Sequence, residues 1–171
     1  MANEDSTFLL VGAYASVDDA QADYQVVKDL HAEKVIGGFD AAVITKDDKG
    51  KVHVNKDETA TRRGGWGGLG VGALVGLIFP PSLIASAAVG AAVGAFGGHL
   101  AKGMSRSDMK DLGELLEEGE AGLVVIGDWR LEERIDELLS RAERRQAKEL
   151  RDLDKAETEE QIGSLMSGQG S

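Results

Sequence analysis

The chain has 171 residues, no cysteine, two prolines and a net charge of −11. That length carries one domain with a real core plus an inserted element or tail. The missing cysteine excludes disulfides and thiolate metal sites, and an acidic body argues against general nucleic-acid binding, which needs a basic surface facing phosphate.

The opening MANEDSTFLL has acids where a signal peptide needs lysines, and its apolar run is short, so secretion is not expected. Thr7 to Tyr14, TFLLVGAY, is rich in β-branched and aromatic residues and reads as a mostly buried strand. Ser16 then supplies a helix cap, with Asp18 and Asp19 in the first turn where negative charge suits the helix dipole. A helix is expected over Val17 to Glu33, with Ala20, Tyr24, Val27 and His31 on one face. Phe39 to Thr45 and Lys51 to Asn55 read as two strands around the turn Asp47-Asp48-Lys49-Gly50. In the second of these, Val52 and Val54 alternate with polar residues, so one face is wet.

Arg62 to Arg106 then interrupts the pattern. No residue between Arg63 and Lys102 carries a full charge, and glycines recur every fourth position as Gly64, Gly68, Gly72 and Gly76, then as Gly90, Gly94 and Gly98. On a helix each such row forms a groove free of side chains, into which another helix packs closely. Pro80 and Pro81 divide the stretch into two apolar segments, because each proline biases the residue before it away from helix. The expected product is a glycine-zipper helical hairpin. It is the one basic part of the chain: residues 62–106 hold 4 basic and 0 acidic residues, against 6 and 12 before it and 9 and 18 after it.

Ser107 precedes an expected helix from about Asp108 to Glu118, with Met109, Leu112, Leu115 and Leu116 on its apolar side and Gly119 as its stop. Ala121 to Gly127, AGLVVIG, is nearly continuous in apolar residues, as strands in the middle of a sheet are. Leu131, Ile135, Leu138, Leu139 and Ala142 follow at helical spacing, and this last helix is expected to run on into solvent. Between Ala142 and Glu160 charges of both signs alternate, with Arg145 and Glu149, and Lys148 and Asp152, four apart. Such a pattern reads as a solvated charged helix ahead of a disordered end, or as a partner-binding coiled segment built on Leu150, Leu153 and Ile162.

The fold class expected is α+β. With the hairpin removed the order is βαββαβ, the ferredoxin-like pattern, with the hairpin inserted between the third strand and the second helix and an extra C-terminal helix. The expected division is a body over 7–61 and 107–141, the hairpin over 62–106, and a charged helix and tail over 142–171.

These pieces resemble the domain-of-unknown-function 1269 family, bacterial predicted membrane proteins related to small general stress proteins. The likeness lies in the Asp40-Ala41-Ala42-Val43-Ile44 strand, the Asp48-Lys49-Gly50-Lys51-Val52 hairpin, the paired glycine segments and the Leu115-Leu116-Glu117-Glu118-Gly119-Glu120-Ala121 approach to the last strand. It covers roughly Phe8 to Asp128 and leaves the charged tail outside. What it implies is a glycine-zipper hairpin on a small α/β body, with no catalytic residues to carry over.

Candidate sites are few. Gly65, Gly67 and Gly70 fit G-x-G-x-x-G, but no strand leads directly into them and no acid for a ribose follows about twenty residues on, so no nucleotide cofactor is expected. His31, His53 and His99 stand in no metal-ligand spacing. Gly103-Met104-Ser105-Arg106-Ser107 misses the nucleophile elbow at its final position. Trp129 reads as a core-edge residue. No catalytic residue, cofactor, metal or small-molecule substrate is therefore expected, and the chain is not expected to be an enzyme.

The residues expected to matter are the helix-packing glycines Gly64, Gly68, Gly72, Gly76, Gly90, Gly94 and Gly98, and the membrane-flanking Arg62, Arg63, Trp66, Lys102 and Arg106. The partners expected are membrane lipid and further copies of the chain. The basic flanks place the body on the cytoplasmic side of the cytoplasmic membrane. Length argues for a re-entrant or shallow hairpin as strongly as for a full span: Gly64 to Phe79 gives about 24 Å of helix at about 1.5 Å per residue, against a bilayer core of about 30 Å. The alternatives are a soluble cytoplasmic homo-oligomer packed through its glycine faces, and a small-ligand sensor or enzyme using the sheet.

Overall fold

Eight consecutive buried residues make Thr7–Tyr14 (β1) an interior strand, and the Ser16 hydroxyl then starts the next element by accepting from the Asp19 amide at 3.2 Å. These features come from a computed structural model that describes residues 6–55, 75–76, 78–79, 81–85 and 104–150. The helix α1 (Val17–Ala32) follows, then β2 (Phe39–Lys46) and β3 (Val52–Asn55). The turn between these strands forms as its residues dictate: Asp47 Oδ1 accepts from the Lys49 and Lys51 amides, both at 2.9 Å, and Gly50 takes a φ of +75°. Beyond the apolar stretch come α2 (Arg106–Glu118), β4 (Ala121–Asp128), two four-residue helices α3 (Arg130–Glu133) and α4 (Ile135–Leu138), and β5 (Arg144–Leu150).

The five strands form one antiparallel sheet in the order β3-β2-β4-β1-β5. The burial of each strand explains its place. β4 is buried from Ala121 to Gly127 and lies between β1 and β2, with Tyr14 opposite Ala121 and Thr45 opposite the same residue from the other side. β3, with its exposed His53 and Asn55, sits at an edge beside β2 alone among the described strands.

Alternation along β1 divides the core into two layers. Phe8, Leu10 and Tyr14 face α1, α3 and α4, and pack with Ala20, Tyr24, Val27, Leu30, Leu131, Leu138 and Leu139. Leu9, Val11 and Ala13 face α2, and pack with Leu112, Leu115 and Leu116. α2 comes close to the sheet because Gly122 faces it: a Cβ at that position would overlap Leu116 Cδ2.

Three expectations change. The first is the last helix and the charged segment. Helix extends only to Leu138, in two short pieces, and Arg144–Leu150 is a strand on the free side of β1. Its charges find partners across the fold: Lys148 meets Asp108 at 2.9 Å and Arg145 meets Asp136 at 2.6 Å, in place of the four-apart pairs a helix would make. The second is the strand assignment, because the βαββαβ pattern needs its third strand in the middle of the sheet and β3 is peripheral. The third is the start of α2. It begins at Arg106, capped by Ser105, whose hydroxyl accepts from the Asp108 amide at 3.1 Å while Asp108 accepts from the Ser105 amide at 3.2 Å.

Candidate functional site

The described part of the apolar stretch lies on the α2 side of the sheet. Val75 and Gly76 are helical, and the Phe79 amide donates to the Val75 carbonyl at 2.9 Å. Val75 is fully buried and Phe79 is 3% exposed, in a cluster with Ala42, Ile44, Val52 and Leu112. Ile78 reaches α2 at Gly113, where an added Cβ would stand 3.2 Å from its Cγ2. After the prolines, Pro81–Leu83 forms one 3-10 turn, Ile84 bridges Val52 in parallel and the Ala85 amide donates to the Val52 carbonyl at 3.0 Å. At the far end of the stretch Met104 is buried in the same cluster. The described residues at the proline turn and at the exit of the stretch thus both pack on one face of the sheet.

Of the helix-packing glycines, Gly76 is half-buried in that helical turn. Gly64, Gly68, Gly72, Gly90, Gly94 and Gly98 lie outside the described residues, as do Arg62, Arg63, Trp66, Lys102 and His99. Arg106 is exposed at the first position of α2.

The opposite layer holds a buried polar cluster that the sequence reading passed over. Asp23 on α1 is fully buried and accepts from the Tyr14 hydroxyl at 3.0 Å, the Arg141 amide at 2.9 Å and Arg141 Nη1 at 2.8 Å. Burial pushes the Tyr14 phenol far above its ordinary range, and the Asp23 carboxylate adds to the effect. The cluster joins β1, α1 and the turn before β5, with its carboxylate held by donors on several sides. Its signal in the sequence is spacing: Asp23 stands three residues after Ala20 and four before Val27, on the buried stripe of α1.

Several other titratable residues have defined partners. His31 Nδ1 lies 2.9 Å from the Gly37 carbonyl, and its ring meets Phe39 edge-on at 5.2 Å. His53 Nε2 lies 3.0 Å from Asp47 Oδ2, and that hydrogen bond, with the Lys51 and Lys49 amides, holds the Asp47 carboxyl below its usual range. Asp108 is lowered to about 2, chiefly by its hydrogen bond from Lys148 and then by those from Ser105. Trp129 is half-buried after β4, with the Arg130 guanidinium 5.7 Å from its ring centre. Among the described residues no group of three or more His, Cys, Asp or Glu side chains could hold a metal ion, and no helix is long and apolar enough to cross a membrane.

No curated protein and no solved structure matches the chain. A family described as "Protein of unknown function (DUF1269)" matches over residues 65–164. The match starts inside the apolar stretch and runs through β5 into the charged segment, which therefore falls inside the family pattern, whereas β1, α1, β2 and β3 precede it. Covering more than half of the chain, and taking in α2, β4 and the far side of the apolar stretch, this match identifies the chain as a member of the DUF1269 family.

Proposed function

We propose that this is a non-enzymatic protein that works by contact, using its glycine-rich stretch against a membrane surface or against further copies of itself. The observation that carries this is the fixing of Val75, Phe79, Ile84, Ala85 and Met104 on one face of the sheet. The described residues that flank 56–74 and 86–103, namely Asn55, Val75, Ala85 and Met104, all belong to this one body. A helix crossing a bilayer separates its two ends by about 30 Å of hydrocarbon. Segments tied at both ends to one body fit shallow or re-entrant contact better than a span. Arg62, Arg63 and Lys102 supply attraction to anionic headgroups.

The strand order supports a modified ferredoxin-like body. β1, α1, β2, β4, α3–α4 and β5 follow the βαββαβ order, with both helical layers on one face. In this arrangement β3, the glycine-zipper stretch and α2 form one insertion between the second and third strands of the pattern. The cytoplasmic face of the membrane is the location this proposal implies, and a link to stress rests on the family resemblance alone.

Vesicle flotation tests the contact. The full chain should float with anionic phosphatidylserine vesicles, float less with neutral ones, and come off in alkaline carbonate. Retention through carbonate would overturn shallow contact in favour of insertion. The second reading, soluble self-assembly through the glycine faces, is favoured by the burial of Val75 and Phe79 in protein. It predicts that Gly72→Leu with Gly94→Leu lowers the assembly mass in light scattering, while Leu74→Val with Val93→Leu changes it less. Absence of flotation together with unchanged mass in the leucine pair would remove both readings.

A further inference from the structure

β5 is the last strand of the sheet, paired with β1 along one side and with no described strand along the other. An edge strand leaves a row of backbone amides and carbonyls as a template for another chain. We infer that a second copy of this chain pairs with it, antiparallel, about a twofold axis at Ala147, joining two five-stranded sheets into one.

The choice of occupant comes from the strand's own sequence. Arg144, Arg145, Gln146, Ala147, Lys148, Glu149 and Leu150 alternate between the two faces, with Leu150 in the core under α2 and Ala147 packed toward the α1 layer. A twofold axis perpendicular to the sheet keeps each face on its own side, so opposite residues must differ by an even number of positions. Centred on Ala147, all seven residues overlap: Arg145 faces Glu149 twice, Gln146 faces Lys148 twice, and Arg144 faces Leu150 twice. The neighbouring registers are worse. A centre on Gln146 sets Arg144 against Lys148, and a centre on Lys148 sets that lysine against itself. Full overlap and charge complementarity therefore select the same register.

Among the described residues an open groove of about 370 Å³ lies beside the strand, between Asp111, Glu114 and Leu115 of α2 and Arg144, Arg145 and Gln146 of β5. Arg145 and Glu149 are exposed, and their present partners, Asp136 and Ser6, lie on their own chain.

Because the chain has no cysteine, one substitution reports the register. Directly opposite residues in an antiparallel pair have Cα atoms about 4.5 or 5.5 Å apart, inside the disulfide range. Ala147→Cys in the full chain should cross-link to dimer under mild oxidation. Arg144→Cys should not, since its copies stand six residues apart along the pair, about 20 Å. Glu149→Arg should weaken self-association in sedimentation by at least about tenfold, and adding Arg145→Glu should restore it, because the swapped charges again face each other. A monomer at all concentrations, equal cross-linking of both cysteines, or no rescue by the charge swap would overturn the inference. A dimer lost only in the Gly72→Leu, Gly94→Leu pair would overturn it too, since that assigns assembly to the glycine faces.

Discussion

On one side of the sheet, α1, α3 and α4 supply a complete apolar layer and a buried carboxylate that ties them to β1. On the other, α2 packs on the sheet together with Val75, Phe79 and Met104 from the glycine-rich stretch. The first layer is built from elements with regular periods and local caps. The second takes residues from a segment whose composition points outward. The segment we propose as a contact element thus also supplies side chains to the core, so removing it acts on the core beneath.

The sharpest way to break this contrast is Phe79→Ala. Truncating a buried phenylalanine costs about 3–5 kcal/mol, and urea denaturation should show the whole body losing that much. A loss below about 0.5 kcal/mol would mean that the second layer closes without Phe79, since that falls within the range of ordinary surface changes. In the first layer, Asp23→Asn keeps the shape and removes the charge that Tyr14 and Arg141 donate to. Hydrogen bonds to charged groups are worth about 1.5–3 kcal/mol, and a loss of that order is expected by the same measurement.

Alkaline titration sharpens the contrast from another direction. The Tyr14 pKa is raised in the fold, so the folded state keeps a proton that the unfolded chain loses near pH 10. The contribution is therefore full below about pH 10 and is lost as pH rises past it. In a Tyr24→Phe background, phenolate absorbance should appear together with unfolding; its appearance in the intact fold would remove the buried Tyr14–Asp23 bond.

The smallest effect belongs to Lys148→Met. An ion pair this open to solvent adds little to stability, but the Asp108 carboxyl should titrate measurably closer to the ordinary aspartate range instead of about 2. The sign follows from the lowered pKa: the Asp108 contribution is present above the unfolded carboxylate value and is lost as pH falls toward 2. NMR titration of that carboxyl checks it, and an unmoved pKa would show that Ser105 alone sets it.

Much of the fold was legible. β1, α1, β2, β3, α2 and β4 all announce themselves through alternation, caps and apolar runs, and the near-continuous apolar run of AGLVVIG foretold its central place. β5 was not legible because Arg, Gln, Lys and Glu favour helix locally, while the vacant side of β1 imposes a strand through Val11 opposite Gln146 and Leu9 opposite Lys148. The same override hid the ion pairs of β5, which join Lys148 to Asp108 forty positions away and Arg145 to Asp136 nine away. Asp23 was missed although its spacing marked it, because an acid on a helix reads by default as solvated. The packing role of Val75 and Phe79 had no separate signal, since apolar residues look alike whether they face a sheet, a membrane or another copy.

The strand order also sets a timetable for synthesis. β1 is made first, yet both its neighbours are made late: Tyr14 waits for Ala121, and Thr7 waits for Asp128 and Leu150. At about 5–20 residues per second, the ribosome needs on the order of 5–20 s to cover that interval. Once the glycine-rich stretch has been made, and until β4 follows, β2 has β3 beside it but lacks β4, and no completed sheet is ready to receive Val75 and Phe79. β4 ends this interval by pairing with β1 and β2 together. From residue 103 to Asp128 the chain grows by 25 residues, about 1–5 s at that rate, so its most apolar segment is made ahead of the sheet that receives it.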